Sequence, residues 1–212
     1  MTARRLALVV GATLALGSSA AFAATLNVGT WHLWAGSQTL TKSQCTVTGA
    51  TDTYADEKTS VDNSGSLVLS EQPDSGKRQW IYIRFDLSSC NIPTTGGADS
   101  ATLTLFESIA PKSSRTLTLA PVQGTWPANL PFATALALTY RASTASVATG
   151  TTSNVALPIT VTADVDGFIK SPSTAFGWRI SDGAAQSALD QAVFTSSEAP
   201  ANKPTLVINY EK

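Results

Sequence analysis

Residues 79–87, Gln-Trp-Ile-Tyr-Ile-Arg-Phe-Asp-Leu, constrain the fold of this chain more than any other stretch. Successive residues of a β-strand point to opposite faces of a sheet, so Ile81, Ile83, Phe85 and Leu87 share one side while Trp80, Tyr82, Arg84 and Asp86 share the other. The first side is a core face. The second is amphipathic, and a sheet that carries Trp, Tyr and Arg on its outer side needs a reason to do so.

The same period of two recurs along the chain. Ala101, Leu103 and Leu105 alternate with Thr102, Thr104 and Phe106; Leu117 and Leu119 with Thr116 and Thr118; Ile159, Val161 and Val165 stand in step opposite Thr160, Thr162 and Asp164. Phe176, Trp178 and Ile180 alternate with Gly177, Arg179 and Ser181, and Leu206, Ile208 and Tyr210 repeat the pattern. Turn-forming clusters such as Pro73-Asp74-Ser75-Gly76 and Pro93-Thr94-Thr95-Gly96-Gly97 separate these runs. Many short strands, polar turns and no convincing helix of about ten residues predict an all-β, two-sheet antiparallel sandwich. A chain this long buries about 70% of its unfolded surface and needs no metal to fold. Residues 26–44 show no clear strand partner, and residues 142–154, rich in Ser, Thr and Ala, read as a long loop.

Arg4 and Arg5 precede an apolar run from Leu6 to Leu16 and the small-residue stretch Ala21-Phe22-Ala23, the order of a secretory signal peptide. Cleavage after Ala23 is the expectation, by the general secretion route, since Ala3 stands where the twin-arginine route favours Ser or Thr. The expected organisation is then a signal peptide over 1–23, a lead-in segment over 24–50 and one sandwich domain over 51–212. No apolar run reaches the ~20 residues of a membrane span. The expected location is secreted or extracellular, with cell-surface association open. Cys45 and Cys90 are the only cysteines, and an even pair in an exported chain predicts a disulfide.

Charge and motif content exclude much of the enzymatic repertoire. Fourteen basic residues against fifteen acidic ones leave no basic field for a phosphate backbone, so no nucleic-acid partner is expected. His32 is the only histidine, which rules out a His-based zinc site and leaves a serine triad dependent on one residue near the expected mature N-terminus. There is no Gly-x-Ser-x-Gly elbow, phosphate loop, Cys-x-x-Cys or His-Glu-x-x-His. Asp86, Glu107, Asp164 and Asp166 supply carboxylates of the kind a glycosidase or lyase uses, but turn and strand-end capping is their default role. A non-catalytic protein without a cofactor is expected.

An ordered set of segments carries a resemblance. Asp52-Thr53-Tyr54-Ala55-Asp56, Asn63-Ser64-Gly65, Arg78 through Ser88, Ser100 through Phe106, Trp126, Phe194 through Glu198 and Lys203 through Tyr210 follow the order seen in DNRLRE domains. This family resembles jelly-roll β-sandwiches on exported bacterial and archaeal proteins, and is similar to carbohydrate-binding module family 96, whose members include binders of alginate-like polyuronates. The resemblance implies a non-catalytic carbohydrate-binding module of jelly-roll type. Its alternative is a structural or adhesive envelope sandwich without glycan specificity.

For a polysaccharide partner the residue types fit the chemistry, because sugar C–H faces stack on aromatic rings and uronate carboxylates suit the guanidinium fork. The candidate ligand-binding set is Trp80, Tyr82 and Arg84, joined across the sheet by Arg179 and flanked by Lys77 and Arg78. The competing reading is that a loop covers Trp80 and Tyr82 and that Arg84 pairs with Asp86 or Asp164. Trp126 reads as a buried corner residue. Asp52, Asp56, Asn63 and Glu198 offer oxygen atoms for a structural Ca²⁺, with turn capping as the default.

Overall fold

The computed structural model describes residues 26–28, 31–33, 41–58, 65–186 and 190–211. The chain divides into two compact units, Met1–Thr41 and Lys42–Lys212. The expected signal peptide lies outside the described residues. In the first unit, β1 (Leu26–Val28) and β2 (Trp31–Leu33) pair antiparallel, Leu26 opposite Leu33 and Val28 opposite Trp31.

The second unit holds β3 (Lys42–Val47), β4 (Ala50–Asp56), β5 (Ser66–Gln72), β6 (Lys77–Phe85), β7 (Ser100–Ile109) and β8 (Thr116–Pro121). Helix α1 (Phe132–Ala137), β9 (Ala145–Ala148), β10 (Val155–Thr160) and helix α2 (Thr162–Lys170) follow, then β11 (Trp178–Asp182), β12 (Ala192–Thr195) and β13 (Thr205–Glu211). Every strand pairing is antiparallel. In one layer β7 has β10 along one edge and β13 then β12 along the other, with β3 beyond β13. In the opposing layer β6 lies between β4 and β11, which leads on to β8 and β9. Strand β5 belongs to both: Ser66 to Leu69 pair with β12, and Ser70 to Gln72 pair with β6. The result is the expected all-β antiparallel sandwich, curled through a shared strand.

The core forms where the inward halves of the alternations meet. Ile81, Ile83 and Phe85 of β6 pack with Leu103 and Leu105 of β7, Leu117 and Leu119 of β8, Ile180 of β11, Phe194 of β12 and Ile208 of β13. Trp178 is buried there too, its ring edge-on to Phe168 at 5.2 Å and its Nε1 donating to Asp164 at 2.8 Å. The expected disulfide is present: Cys45 of β3 is bonded to Cys90 just beyond β6.

Four sequence expectations differ from the structure. Val165, placed in step with Ile159 and Val161, lies on α2 and not on a strand. Its side chain still reaches the core, because a helix laid across the sheet end buries one stripe and so mimics a strand residue. The stretch 142–154 contains β9, whose Ala145 and Val147 pack on the core in a sequence too small and polar to announce it. Residues 42–47, assigned to the lead-in, are β3, paired along β13 from Lys42 opposite Glu211 to Val47 opposite Leu206. Finally, Phe176 does not share the inner face of Trp178, because Gly177 has a positive φ of 77° and turns the chain between them. A Cβ at Gly177 would collide with the Ile83 carbonyl and with Arg84, so only glycine permits this approach of β11 to β6.

Candidate functional site

The outer face of β6 is roofed. The segment from Val122 to Tyr140, which includes α1, folds back over it and forms a second apolar cluster: Trp80, Tyr82 and Ala55 below, with Trp126, Leu130 and Ala135 above. Tyr82 is 0% exposed, Trp80 8% and Trp126 3%. The Tyr82 hydroxyl meets that of Tyr140 at 2.8 Å, and Tyr140 donates to the Ala135 carbonyl oxygen. Burial, with Tyr140 alongside, raises the Tyr82 pKa far above its ordinary value. Trp126 donates from Nε1 to the Phe176 carbonyl at 2.8 Å, as its reading as a buried corner requires. The surface that Trp80 and Tyr82 would offer a sugar is therefore taken up by the roof, as the competing reading of those two residues had it.

The arginines are placed differently from one another. Arg78, at the start of β6, forks onto Glu57, Nη2 to Oε1 at 2.6 Å and Nε to Oε2 at 3.1 Å, and that bond holds the Glu57 carboxyl below its usual range. Lys77 sits beside it, half-buried. Arg179 stands opposite Tyr82 in the register, its guanidinium 4.1 Å from the Tyr140 ring centre and 4.9 Å from that of Trp80. Arg84 lies 4.7 Å from the ring centre of Trp126. Among the described residues, neither Arg84 nor Arg179 has a carboxylate within ion-pair distance, and Nε of Arg179 is buried without an acceptor.

Arg84 does not pair with Asp86 or Asp164. Asp86 accepts the Ser88 amide at 2.9 Å, which lowers its pKa. Asp164 is occupied by Trp178 and by the Thr144 hydroxyl, and Asp166 by Lys170 at 2.8 Å. Glu107 points into the core of the sandwich, fully buried, both carboxylate oxygens lacking a hydrogen-bond partner. Burial pushes its pKa up to about 7. Asp86, Asp164 and Asp166 are thus each engaged by their own partners.

Of the oxygen donors considered for Ca²⁺, the structure brings Asp52 and Glu198 together through Ser197, whose amide and hydroxyl donate to Asp52 at 2.8 and 3.1 Å and whose hydroxyl also reaches Glu198 at 3.0 Å. Burial, with Glu198 alongside, raises the Asp52 pKa to about 7 despite the Ser197 amide. Asp56 is elsewhere, accepting from Gln79 and the Lys58 amide, and Asn63 lies outside the described residues. Among the described residues no group of three or more His, Cys, Asp or Glu gathers as a metal would require.

A scan against protein-family models matches residues 43–210 to carbohydrate-binding module family 96. The chain belongs to that family. The match runs from β3 to β13, so the family 96 module takes in the whole sandwich and both layers of its core. No curated protein matches the chain. For a family 96 module the role of carbohydrate binding is given by membership. Arg84 and Arg179 stand against aromatic rings, while the buried rings beneath the roof were legible only as residue types, not as surfaces. The sequence reading missed Tyr140 and Phe132, the residues that complete the stacks around Arg179 and Arg78. No local spacing signals them, because their partners Trp80, Tyr82 and Arg179 lie about forty to sixty positions away.

Proposed function

We propose that this family 96 module is a secreted, non-catalytic protein that binds acidic, uronate-bearing polysaccharides, and that its ligand contacts come from Arg84 and Arg179, with Lys77 and Arg78 at the far end of the strip. One observation carries the reading: two guanidiniums lie against aromatic rings without, among the described residues, a carboxylate of their own. A cation over a ring uses the face of the guanidinium and leaves the in-plane N–H groups for a planar anion. A sugar carboxylate is such an anion, and it can take two parallel bonds. Arg78 already spends its fork on Glu57, so it contributes less. In this reading Trp80 and Tyr82 support the site: they hold Arg179 in place, and Trp80 itself is fixed by its bond from Nε1 to Glu71 at 2.7 Å.

The roof favours a second reading, a structural or adhesive envelope module without glycan specificity, because it covers the rings a sugar platform would use. Affinity electrophoresis of the chain from Ala24 in gels containing alginate, pectin or neutral glucans separates the two. Retardation by the uronate polymers and not by the glucans is the expected result. Unchanged mobility in every gel leaves the structural reading standing.

A further inference from the structure

A groove of about 530 Å³ opens where β6 ends, within the several-hundred Å³ range typical of small-molecule sites (about 300 to 1,000 Å³). Its lining includes the polar residues Thr51, Arg84, Asp86 and Asn91 and the apolar residues Ile92 and Pro172. Arg84 is the one member of the candidate set that reaches it, and it arrives already positioned by Trp126. The two charges in the groove differ in what they lack. Arg84 has no acid partner among the described residues, whereas Asp86 is kept ionised by the Ser88 amide and remains an acceptor.

The groove wall is held from several sides. Cys90 is bonded to Cys45, its carbonyl accepts the Tyr210 hydroxyl at 3.0 Å, and Asn91 turns the chain with a φ of 50°. A wall fixed in this way loses little entropy when a ligand enters. A guanidinium for a carboxylate, an ionised acid and an amide for hydroxyls, and apolar residues for C–H groups together describe a sugar that bears one carboxylate and free hydroxyls.

We propose that a single uronate residue of the polysaccharide seats in this groove, its carboxylate on Arg84, its hydroxyls on Asp86 and Asn91, and its C–H face against Ile92 and Pro172. The groove thus seats one sugar of the polymer at the end of the sandwich, with Arg179 left to a neighbouring sugar of the same chain. The inference rests on the uronate reading given above and gives that reading a place.

Gly49 offers the test, since it borders the groove, a Cβ there meets nothing within 4 Å, and its φ is not positive. Gly49→Trp should fill the groove and leave the fold intact, while Arg84→Lys keeps the charge and removes the fork. With alginate in the gel and carboxyl-reduced alginate as control, wild type should be retarded by the first only. Both variants should lose about tenfold or more in affinity with an unchanged melting temperature. Retardation of Gly49→Trp equal to wild type would place the sugar elsewhere and overturn the groove while leaving uronate binding in force. Failure of wild type to bind any uronate polymer would overturn the uronate reading, and the groove with it. Should Gly49→Trp melt early, amide shifts in wild type on titration with short oligouronates decide: movement at Thr51, Ser88 and Asn91 supports the groove, and movement confined to Arg179 and Tyr140 refutes it.

Discussion

Strands β6 and β7 sit in opposite layers with equally strict alternation, yet their outer faces have opposite fates. On β7 the outward residues Thr102, Thr104 and Phe106 remain half-exposed, flanked by exposed Thr46 of β3 and Thr160 of β10. On β6 the outward Trp80 and Tyr82 disappear beneath the Val122 to Tyr140 segment. Period two tells which residues leave the core, and it is silent on what then covers them. Composition is the better guide: a face of Thr is content with water, whereas Trp and Tyr side by side call for a second apolar layer.

The sharpest way to break this contrast is to truncate on both faces. Tyr82→Ala should cost about 4 kcal/mol, as a large buried aromatic does when a cavity replaces it. Thr102→Ala with Thr104→Ala should stay within about 0.5 kcal/mol per site. Urea titration of the two variants measures both, and equal losses would refute the roof as a stabilising layer.

The disulfide comes next in size, because it joins β3 of the bare layer to the chain just beyond β6 of the roofed one. Cys45→Ala with Cys90→Ala should remove about 3 kcal/mol and loosen the groove wall, so thermal melting and alginate retardation should fall together. A variant that melted early but bound as before would detach the groove from the bridge.

The interior titrates as well. Glu107 and Asp52 both hold their protons more tightly folded than unfolded, so the folded state binds the extra proton between their ordinary values, near 4, and about 7. Stability should therefore fall as pH rises through that window and level off above it. Glu107→Gln should remove its share of the slope, of order 2 kcal/mol, and make the protein more stable than wild type at pH 8, as read from melting temperatures at pH 5 and pH 8. A steeper slope in the variant would contradict the buried, unpartnered carboxylate. The smallest effect is expected at Arg179, where substitution by Ala should weaken uronate binding about threefold, less than any change at Arg84 (roughly 0.7 kcal/mol).

Much of this was legible in the sequence, and the boundary is physical. The inner faces could be read because burial on one side enforces alternation: Ile81 and Ile83, Leu103 and Leu105, Leu206 and Ile208 all reach the core as their spacing demands. Cys45 and Cys90 were legible because, behind an expected signal peptide, two cysteines have few other uses. The roof was not, since Leu130, Ala135 and Tyr140 acquire meaning only against residues some fifty positions earlier. Nor was the change of period at Val161, where β10 gives way to α2 within one residue. At the candidate site the residue types were readable and their partners were not: nothing near Arg84 in sequence says that its guanidinium rests on Trp126 and that no described carboxylate pairs with it.

Strand β13 has a consequence for the order of events. It fills the gap between β3 and β7, bringing Glu211 beside Lys42 and Asn209 beside Ser100. That layer is therefore assembled from opposite ends of the module, and its closure waits on the module's own last strand. In a chain so laid out the near pairings can form early, but the layer closes only when its most distant ones are found, and folding should run in the slow, millisecond-to-second range of non-local β-structures.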